Sequence, residues 1–407
     1  MKNNLFCLLF VFALIKLCGS ASAQDLNDFN KYHRSSLYSI LLKHPEKEFC
    51  TEMVDAFTSI PIPDKYNNHD LKIKVMDAPI LEELSDEALQ GEFKNSITDL
   101  LERNKIAGRL VGKWFNRDSK SGAFNMDLVA QRGFYNASVL DINKALASER
   151  GLALLADAGE ELIGHTYVLV NDIRYVDKET SKAIASGLLG IFTMMFGGTY
   201  LMAPTMKMTT SVAGFKVYVT SYLFRLDWNE EVASNFYTNL WGDNNTISPE
   251  KKELWNKEMG NFHLTYVGSA TVYSGKTSLN GIHKEREMFM KVCTRAIDKS
   301  ISELQKSFDE FKVFTPLVST EPLTAYIGVK DGVESSSRFE VLEVSEDENG
   351  RTSYKRVGII RPVRDLIWDN RYMANEEGIR EAKLGFTTFE KVSGGKFYPG
   401  MLIREIK

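Results

Sequence analysis

A run of twenty-four residues without a charge, residues 183–206, lies in the middle of a 407-residue chain in which 26% of the residues are charged. The run is longer than the roughly 20 residues with which a helix crosses a bilayer. Its glycines, above all the pair Gly197-Gly198, and Pro204 weaken one continuous helix and favour two short elements joined by a turn. The chain must therefore bury this run in a core or place it against lipid or protein.

Two predicted strands flank the uncharged run. His165–Tyr175 and Phe215–Trp228 are rich in β-branched and aromatic residues, which is typical of strands. If these strands are neighbours in one sheet, both ends of the run lie on the same side of any membrane. A single crossing conflicts with that arrangement, so we expect an excursion that leaves the sheet and returns to it.

Four environments fit the run. It can be an excursion that touches a membrane, or an interfacial element that inserts large side chains into lipid or a partner. It can also be a hairpin buried on the domain's own sheet, or a single span. The side chains expected to contact a membrane or partner are Leu188, Leu189, Ile191, Phe192, Met194, Met195, Phe196, Tyr200 and Met202.

Residues 1–23 have the layout of a cleavable secretory signal peptide. Lys2 precedes an apolar stretch, and Ala21-Ser22-Ala23 forms the cleavage site before Gln24. Cys18 could carry a lipid anchor instead, but the preceding lysine and leucine fit lipoprotein processing poorly. We expect an exported protein, either periplasmic or associated with the outer membrane.

The composition argues against one class of partner. The formal net charge is -4, and no segment concentrates Lys and Arg, so a nucleic-acid surface is not expected. Removal of the signal leaves two cysteines, Cys50 and Cys293, which could pair in an oxidising compartment if their geometry allows. Two thiols cannot form a disulfide scaffold, so the fold must rest on hydrophobic cores.

The sequence pattern divides the remaining chain into three parts. Residues 24–95 are predicted to form an N-terminal appendage, with a short helical pattern at Leu37–Leu42 and a helix at Phe49–Phe57. Residues 96–315 are predicted to form an α/β core domain that contains the uncharged run. Residues 316–407 are predicted to form a small β domain, because strands replace helices after this point.

The core domain carries the clearest helix pattern of the chain. One apolar stripe extends over His283–Lys312, with charged residues on the opposite face. A helix beginning at Ser96 and a strand at Phe262–Tyr273 accompany it. Together with the two flanking strands, this order predicts an α+β fold: a layered α/β-like core with a mixed sheet, followed by a small barrel-like β domain.

The β domain is predicted from five short strands and one turn. The turn is Asn349-Gly350, a strong hairpin signal between the second and third strands. The strands are Leu323–Ile327, Arg338–Val344, Tyr354–Ile360, Gly385–Lys391 and Gly400–Ile406. This spacing predicts a small barrel.

Arginines and an aromatic residue cluster in the β domain. Arg361, Arg364, Trp368 and Arg371 combine residue types that are enriched at protein interfaces. A barrel face held by salt bridges is the alternative interpretation. We therefore take these four residues as a candidate interface.

The sequence carries no strong catalytic or metal-binding motif. Its six histidines lack the spacing of a zinc helix, and no G-x-S-x-G occurs. Gly275-Lys276-Thr277 lacks the earlier glycine of a phosphate loop. We expect no catalytic, cofactor-binding or metal-binding residue. A hydrolase whose site is assembled from distant residues stays an alternative.

The order of elements resembles that of the envelope proteins around the curli-secretion channel and of the flagellar assembly protein T family. The resembling stretches are Lys113-Trp114-Phe115, Gln131-Arg132-Gly133 (a short strand in those families), Arg150, Tyr167–Val170, the helix His283–Lys312, Gly328–Gly332 and Arg338–Val341. The resemblance implies a Gram-negative host, oligomerisation and membrane insertion by excursions from the sheet. The channel proteins are lipid-anchored, and Cys18 departs from that pattern.

The leading hypothesis is an exported, non-enzymatic cell-envelope protein. It would assemble with itself or dock on a membrane-associated machine through residues 183–206. The runner-up is a soluble secreted binding module in which this run is core. Under the leading hypothesis, the partner is another copy of this chain or another envelope protein, and the protein can also contact a membrane. We expect it to bind neither nucleic acid nor a cofactor.

Overall fold

The computed structural model describes residues 35–47, 49–60, 66–79, 86–136, 159–175, 216–275, 285–312, 314–346 and 352–406. The predicted signal peptide, the uncharged run with its nine contact residues, and the Asn349-Gly350 turn lie outside these ranges.

A mixed sheet of six strands forms the centre of the core. The central strand order is β2-β1-β4-β5-β6. Strand β2 pairs with the beginning of β1, and β3 pairs with the end of β1 on the same edge. The strands are β1 Ser36–Lys43, β2 Asn67–Asn68, β3 Val75–Asp77, β4 Thr166–Tyr175, β5 Lys216–Leu226 and β6 Leu264–Gly275. The first four are parallel to one another where they pair, whereas β4, β5 and β6 are antiparallel.

Helices pack against both faces of this sheet. Their bounds are α1 Cys50–Ser59, α2 Asp86–Arg103, α3 Ile106–Trp114, α4 Asp127–Asn136, α5 Glu230–Asn235, α6 Pro249–Glu258 and α7 Glu285–Ser307. Val168 and Phe224 point to the face covered by α2 to α6, and Leu169 and Leu223 point to the face covered by α1 and α7. Alternation along each strand thus supplies two separate cores.

The predicted helix at Leu37–Leu42 is wrong, because these residues form the interior strand β1. Leu37 and Leu41 enter one core, while Tyr38 and Ile40 enter the other. A strand buried on both faces carries a nearly continuous apolar run, which short windows do not separate from a helix. This part of the 24–95 stretch is therefore integral to the core sheet.

The other elements of the core follow the sequence pattern with shifted ends. The helix expected from Ser96 begins at Asp86 and is interrupted at Lys105, whose φ of 52° ends α2 before α3 begins. The long helix ends at Ser307 and a single 3-10 turn follows. Gln131-Arg132-Gly133, compared above with a strand, lies within α4.

A closed antiparallel barrel of six strands follows α7, in the order β10-β11-β8-β7-β12-β9. The strands are β7 Thr315–Thr320, β8 Leu323–Ala325, β9 Arg338–Glu346, β10 Thr352–Pro362, β11 Thr387–Gly394 and β12 Leu402–Ile406. The five predicted strands are all present. Strand β7 is not among the predicted strands, and it contains Pro316, the residue at which the small β domain is predicted to begin. The protein therefore has the predicted α+β fold with a small barrel.

The barrel packs against the side of α7 that faces away from the core sheet. A Cβ atom on Gly332 would lie 2.0 Å from Ser302 Oγ, so the barrel approaches α7 closely here. Lys306 forms an ion pair of 3.0 Å with Glu334, and Arg295 donates to the carbonyl oxygen of Tyr372 at 2.8 and 3.0 Å. Helix α7 thus contributes to the core on one side and to the barrel contact on the other.

Candidate interaction surfaces

The two strands that flank the uncharged run in sequence are adjacent in the core sheet. Tyr175, the last residue of β4, pairs with Val217, and Lys216 pairs with Gly275 at the end of β6. The chain therefore leaves and re-enters the sheet in adjacent antiparallel strands. The prediction that the two flanking strands are neighbours is confirmed.

A polar cluster lies at this same end of the sheet. His44 follows β1, and Asp172 pairs in register with Leu42 near the end of β4. The Nε2 atom of His44 lies 2.8 Å from Asp172 Oδ1, and the Arg174 guanidinium donates to both carboxylate oxygens at 2.6 to 3.1 Å. One buried carboxylate thus contacts both an imidazole and a guanidinium.

The surroundings of Asp172 explain its ionisation. Burial raises the pKa of this carboxyl, but the His44 hydrogen bond and the charge and hydrogen bonds of Arg174 together hold the pKa below its ordinary value. The Nδ1 atom of His44 faces Glu46 Oε1 at 3.6 Å, so carboxylates lie beside both ring nitrogens. This arrangement fastens the end of β4 to the residue that follows β1.

The four residues of the candidate interface have different environments. Arg361 pairs across strands with Glu390 at 2.6 Å on the surface. Arg371 donates to buried Asp369 at 2.6 and 2.8 Å, and Trp368 is half-buried in the connection after β10. Arg364 is exposed. The structure thus leaves Arg361 and Arg364 on the barrel surface, while Arg371 is held by its carboxylate partner.

An exposed apolar patch lies beside these arginines. Thr387 pairs with Ala325, which makes Phe386 and Tyr326 cross-strand neighbours just beyond the ladder. Tyr326 is 46% exposed, Phe386 is 38% exposed and Leu366, on the adjacent 3-10 turn, is 37% exposed. We call these three residues the barrel patch. Sequence reasoning missed it, because its members come from three separate segments.

The histidine and cysteine side chains have structural environments. Burial is the main cause that lowers the pKa of His69 to about 3, so its imidazole is neutral near pH 7. Its ring lies 5.0 Å from that of Trp114. Both Cys50 and Cys293 are free thiols. Across the described ranges, no group of three or more His, Cys, Asp and Glu side chains could hold a metal ion.

No protein-family model matches the chain, and no curated protein matches it. None of the helices within the described ranges combines the length and apolar composition needed to cross a bilayer.

Proposed function

We propose that this protein is an exported, non-enzymatic cell-envelope protein that assembles with itself or docks on a membrane-associated machine through residues 183–206. The observation that carries the proposal is the antiparallel pairing of β4 with β5. An uncharged segment inserted between paired strands leaves and returns at one end of the sheet. Such a segment can reach a surface without separating the two strands.

The sheet already has apolar partners on both faces. Residues of α2, α3 and α6 pack on one face, and residues of α1 and α7 pack on the other. The sheet therefore has less need of the uncharged run as a cover. This favours contact with lipid or protein over a purely internal role.

The sequence resemblance points in the same direction. Members of the curli-secretion and flagellar assembly protein T families are Gram-negative envelope proteins, and the resemblance implies oligomers with excursions from the sheet. The predicted signal peptide at residues 1–23 supports periplasmic or outer-membrane association. Its partner is then a second copy or another envelope protein.

The alternative is a soluble secreted binding module that uses its barrel. The barrel patch favours this function, because Tyr326 and Phe386 are exposed as neighbours on the surface. Arg364 lies on the turn next to Leu366. Aromatic residues with arginine at the edge are typical of protein interfaces.

Fractionation and paired variants distinguish the two functions. We expect wild-type protein to sediment with membranes or to form an oligomer in size-exclusion chromatography with light scattering. Changing Phe192 and Phe196 to serine should abolish this association, whereas changing Tyr326 and Phe386 to serine should preserve it. Fully soluble, monomeric wild-type protein contradicts the proposal, and the opposite pattern of the two variants supports the binding module.

A deletion tests whether the run is part of the core. Residues 185–203 are replaced by a short Gly/Ser turn that joins the two strands. For an excursion, the remaining protein should keep its cooperative unfolding transition. Loss of about 5 to 15 kcal/mol, comparable to the whole stability of a domain, would show that the run is core.

A further inference from the structure

A shallow groove lies between α3 and α6, on the helical side of the core. Gly108 lets the two elements approach, since a Cβ atom there would lie 2.1 Å from the carbonyl oxygen of Met259. The groove has a volume of about 590 Å³, and Gly112, Trp255 and Met259 contribute to its floor. It is wide and open, which suits an extended ligand better than a small enclosed one.

Three cationic side chains line this groove: Arg109, Lys113 and Arg117. The first two are four residues apart on α3 and therefore share one face of the helix. Arg117 follows the end of α3, where its backbone N–H donates to the carbonyl oxygen of Gly112 at 2.8 Å. The positive charges are thus arranged along the groove rather than around one point.

Aromatic rings hold the Arg117 guanidinium in place. Its central carbon lies 5.4 Å from the ring centroid of Trp255 and 5.8 Å from that of Phe124. Its Nε atom is buried and has no hydrogen-bond partner within the part of the chain that the structure describes. The rings restrict the orientation of this half-buried side chain, and because Nε is out of a ligand's reach, a carboxylate in the groove would contact the exposed part of the guanidinium.

The charge of the groove is not balanced locally. Asp118 is the only acidic residue of its lining. Its Oδ1 atom already accepts hydrogen bonds from the backbone N–H groups of Lys120 and Ser121 and from the Ser121 hydroxyl, at 2.6 to 2.9 Å. The charge of Asp118 acts on Arg117, but one carboxylate against three cations leaves the lining with a net positive charge in a chain whose formal net charge is -4.

We propose that this groove binds an extended acidic peptide segment of a partner protein. Arg109 and Lys113 are separated by about 6 Å along the helix axis, given a rise of about 1.5 Å per residue. Alternate side chains on one face of an extended peptide recur every 6.5 to 7 Å or so. Carboxylates at alternate peptide positions thus match the spacing of the cations along the helix.

The groove is formed by α3, α6 and the turn after α3, and none of its lining residues belongs to the 183–206 run. Binding of an acidic peptide in this groove therefore does not depend on the proposed function. Loss of membrane association in the Phe192 and Phe196 variant would leave peptide binding unchanged.

The test uses the purified full chain and a short synthetic peptide in which glutamate alternates with serine. We expect saturable binding in fluorescence anisotropy, weakened by added salt. The substitutions Lys113→Gln and Arg117→Gln, introduced separately, should each weaken binding about tenfold, because each removes a charge-assisted contact. The matched controls are Arg380→Gln and Lys383→Gln, introduced separately at exposed positions of the barrel. Each removes one positive charge, as the groove substitutions do, and should leave the affinity unchanged.

Thermal unfolding of each variant shows whether it is folded, and two single variants keep the test informative if one is unstable. Absence of saturable binding by the wild type overturns the proposal. Equal losses in the groove and barrel variants would show non-specific charge attraction and would also overturn it. Equal affinity for a peptide with its glutamates in one block, or tighter binding of tripolyphosphate, would contradict the assigned extended-peptide ligand.

Discussion

Lys291 on α7 and Glu377 in the connection between β10 and β11 form an ion pair with a distance of 2.9 Å between Nζ and Oε1. The lysine side chain is 4% exposed and the glutamate side chain 17% exposed. Arg295 lies 3.0 Å from the same oxygen. One carboxylate thus pairs with two cations at the contact between the core and the barrel.

Replacing this carboxylate should destabilise the protein. The substitution Glu377→Gln removes the carboxylate charge that Lys291 and Arg295 both contact at a largely buried position, so we expect the free energy of unfolding to fall by about 3 kcal/mol. Urea denaturation followed by tryptophan fluorescence measures the change. Glu390→Gln is the matched control, because Glu390 pairs with Arg361 on the surface, where the loss should stay below about 1 kcal/mol. Equal effects of the two substitutions would refute the role of this buried pair.

The Asp172 cluster should make stability depend on pH at the acidic end. The pKa of Asp172 is depressed in the folded protein, so its stabilisation is fully present above the ordinary value of 3.8 and is lost as the pH falls through the lower folded pKa. Asp172→Asn should therefore destabilise the protein by about 3 kcal/mol at pH 7. The stability difference between the two proteins should begin to shrink as the pH falls below about 3.8, and it should vanish only below the lower folded pKa of Asp172. Asp77→Asn, at an exposed partner of Lys43, should show no such convergence.

The strands beside the uncharged run could be predicted from local sequence, because each is long and rich in β-branched and aromatic residues. β1 could not, since Leu37 and Leu41 have the four-residue spacing of a helix while both faces of the strand are buried. β7 was missed because Pro316 is its second residue. Proline is tolerated near the start of a strand, so a proline in the sequence does not by itself exclude a strand at a predicted domain boundary.

The surfaces depended on register and on distant elements. Tyr326 and Phe386 become neighbours only through the pairing of β8 with β11 across some sixty residues. The cations Arg109 and Lys113 were visible in the sequence at helical spacing. The groove beside them requires α6, whose approach to Gly108 no local pattern indicates. Arg371 is predicted as an interface residue from its residue type, and the fold shows that it donates to Asp369, two residues earlier in the chain.

The two cysteines should differ sharply in reactivity. Burial raises the pKa of the Cys293 thiol to about 12, whereas Cys50 is partly exposed at the start of α1. In protein whose Cys7 and Cys18 are replaced by serine, a thiol reagent at pH 8 should label Cys50 in the native state and Cys293 only after unfolding. Mass spectrometry counts the labels. The control is Cys50→Ser, which should carry no label in the native state and one label after unfolding. Rapid native labelling of Cys293 would contradict its burial.

Two glycines on one helix provide a matched pair for the contact between α3 and α6. A Cβ atom on Gly108 would lie 2.1 Å from the Met259 carbonyl oxygen, whereas one on Gly112 would lie 3.4 Å from the Trp255 ring. Gly108→Ala must therefore push α6 away and should lower the free energy of unfolding by about 3 kcal/mol. Gly112→Ala meets only ordinary contact and should raise it by up to about 1 kcal/mol, through higher helix propensity. Chemical denaturation measures both variants, and equal stabilities would show that α3 and α6 are not in the close contact described.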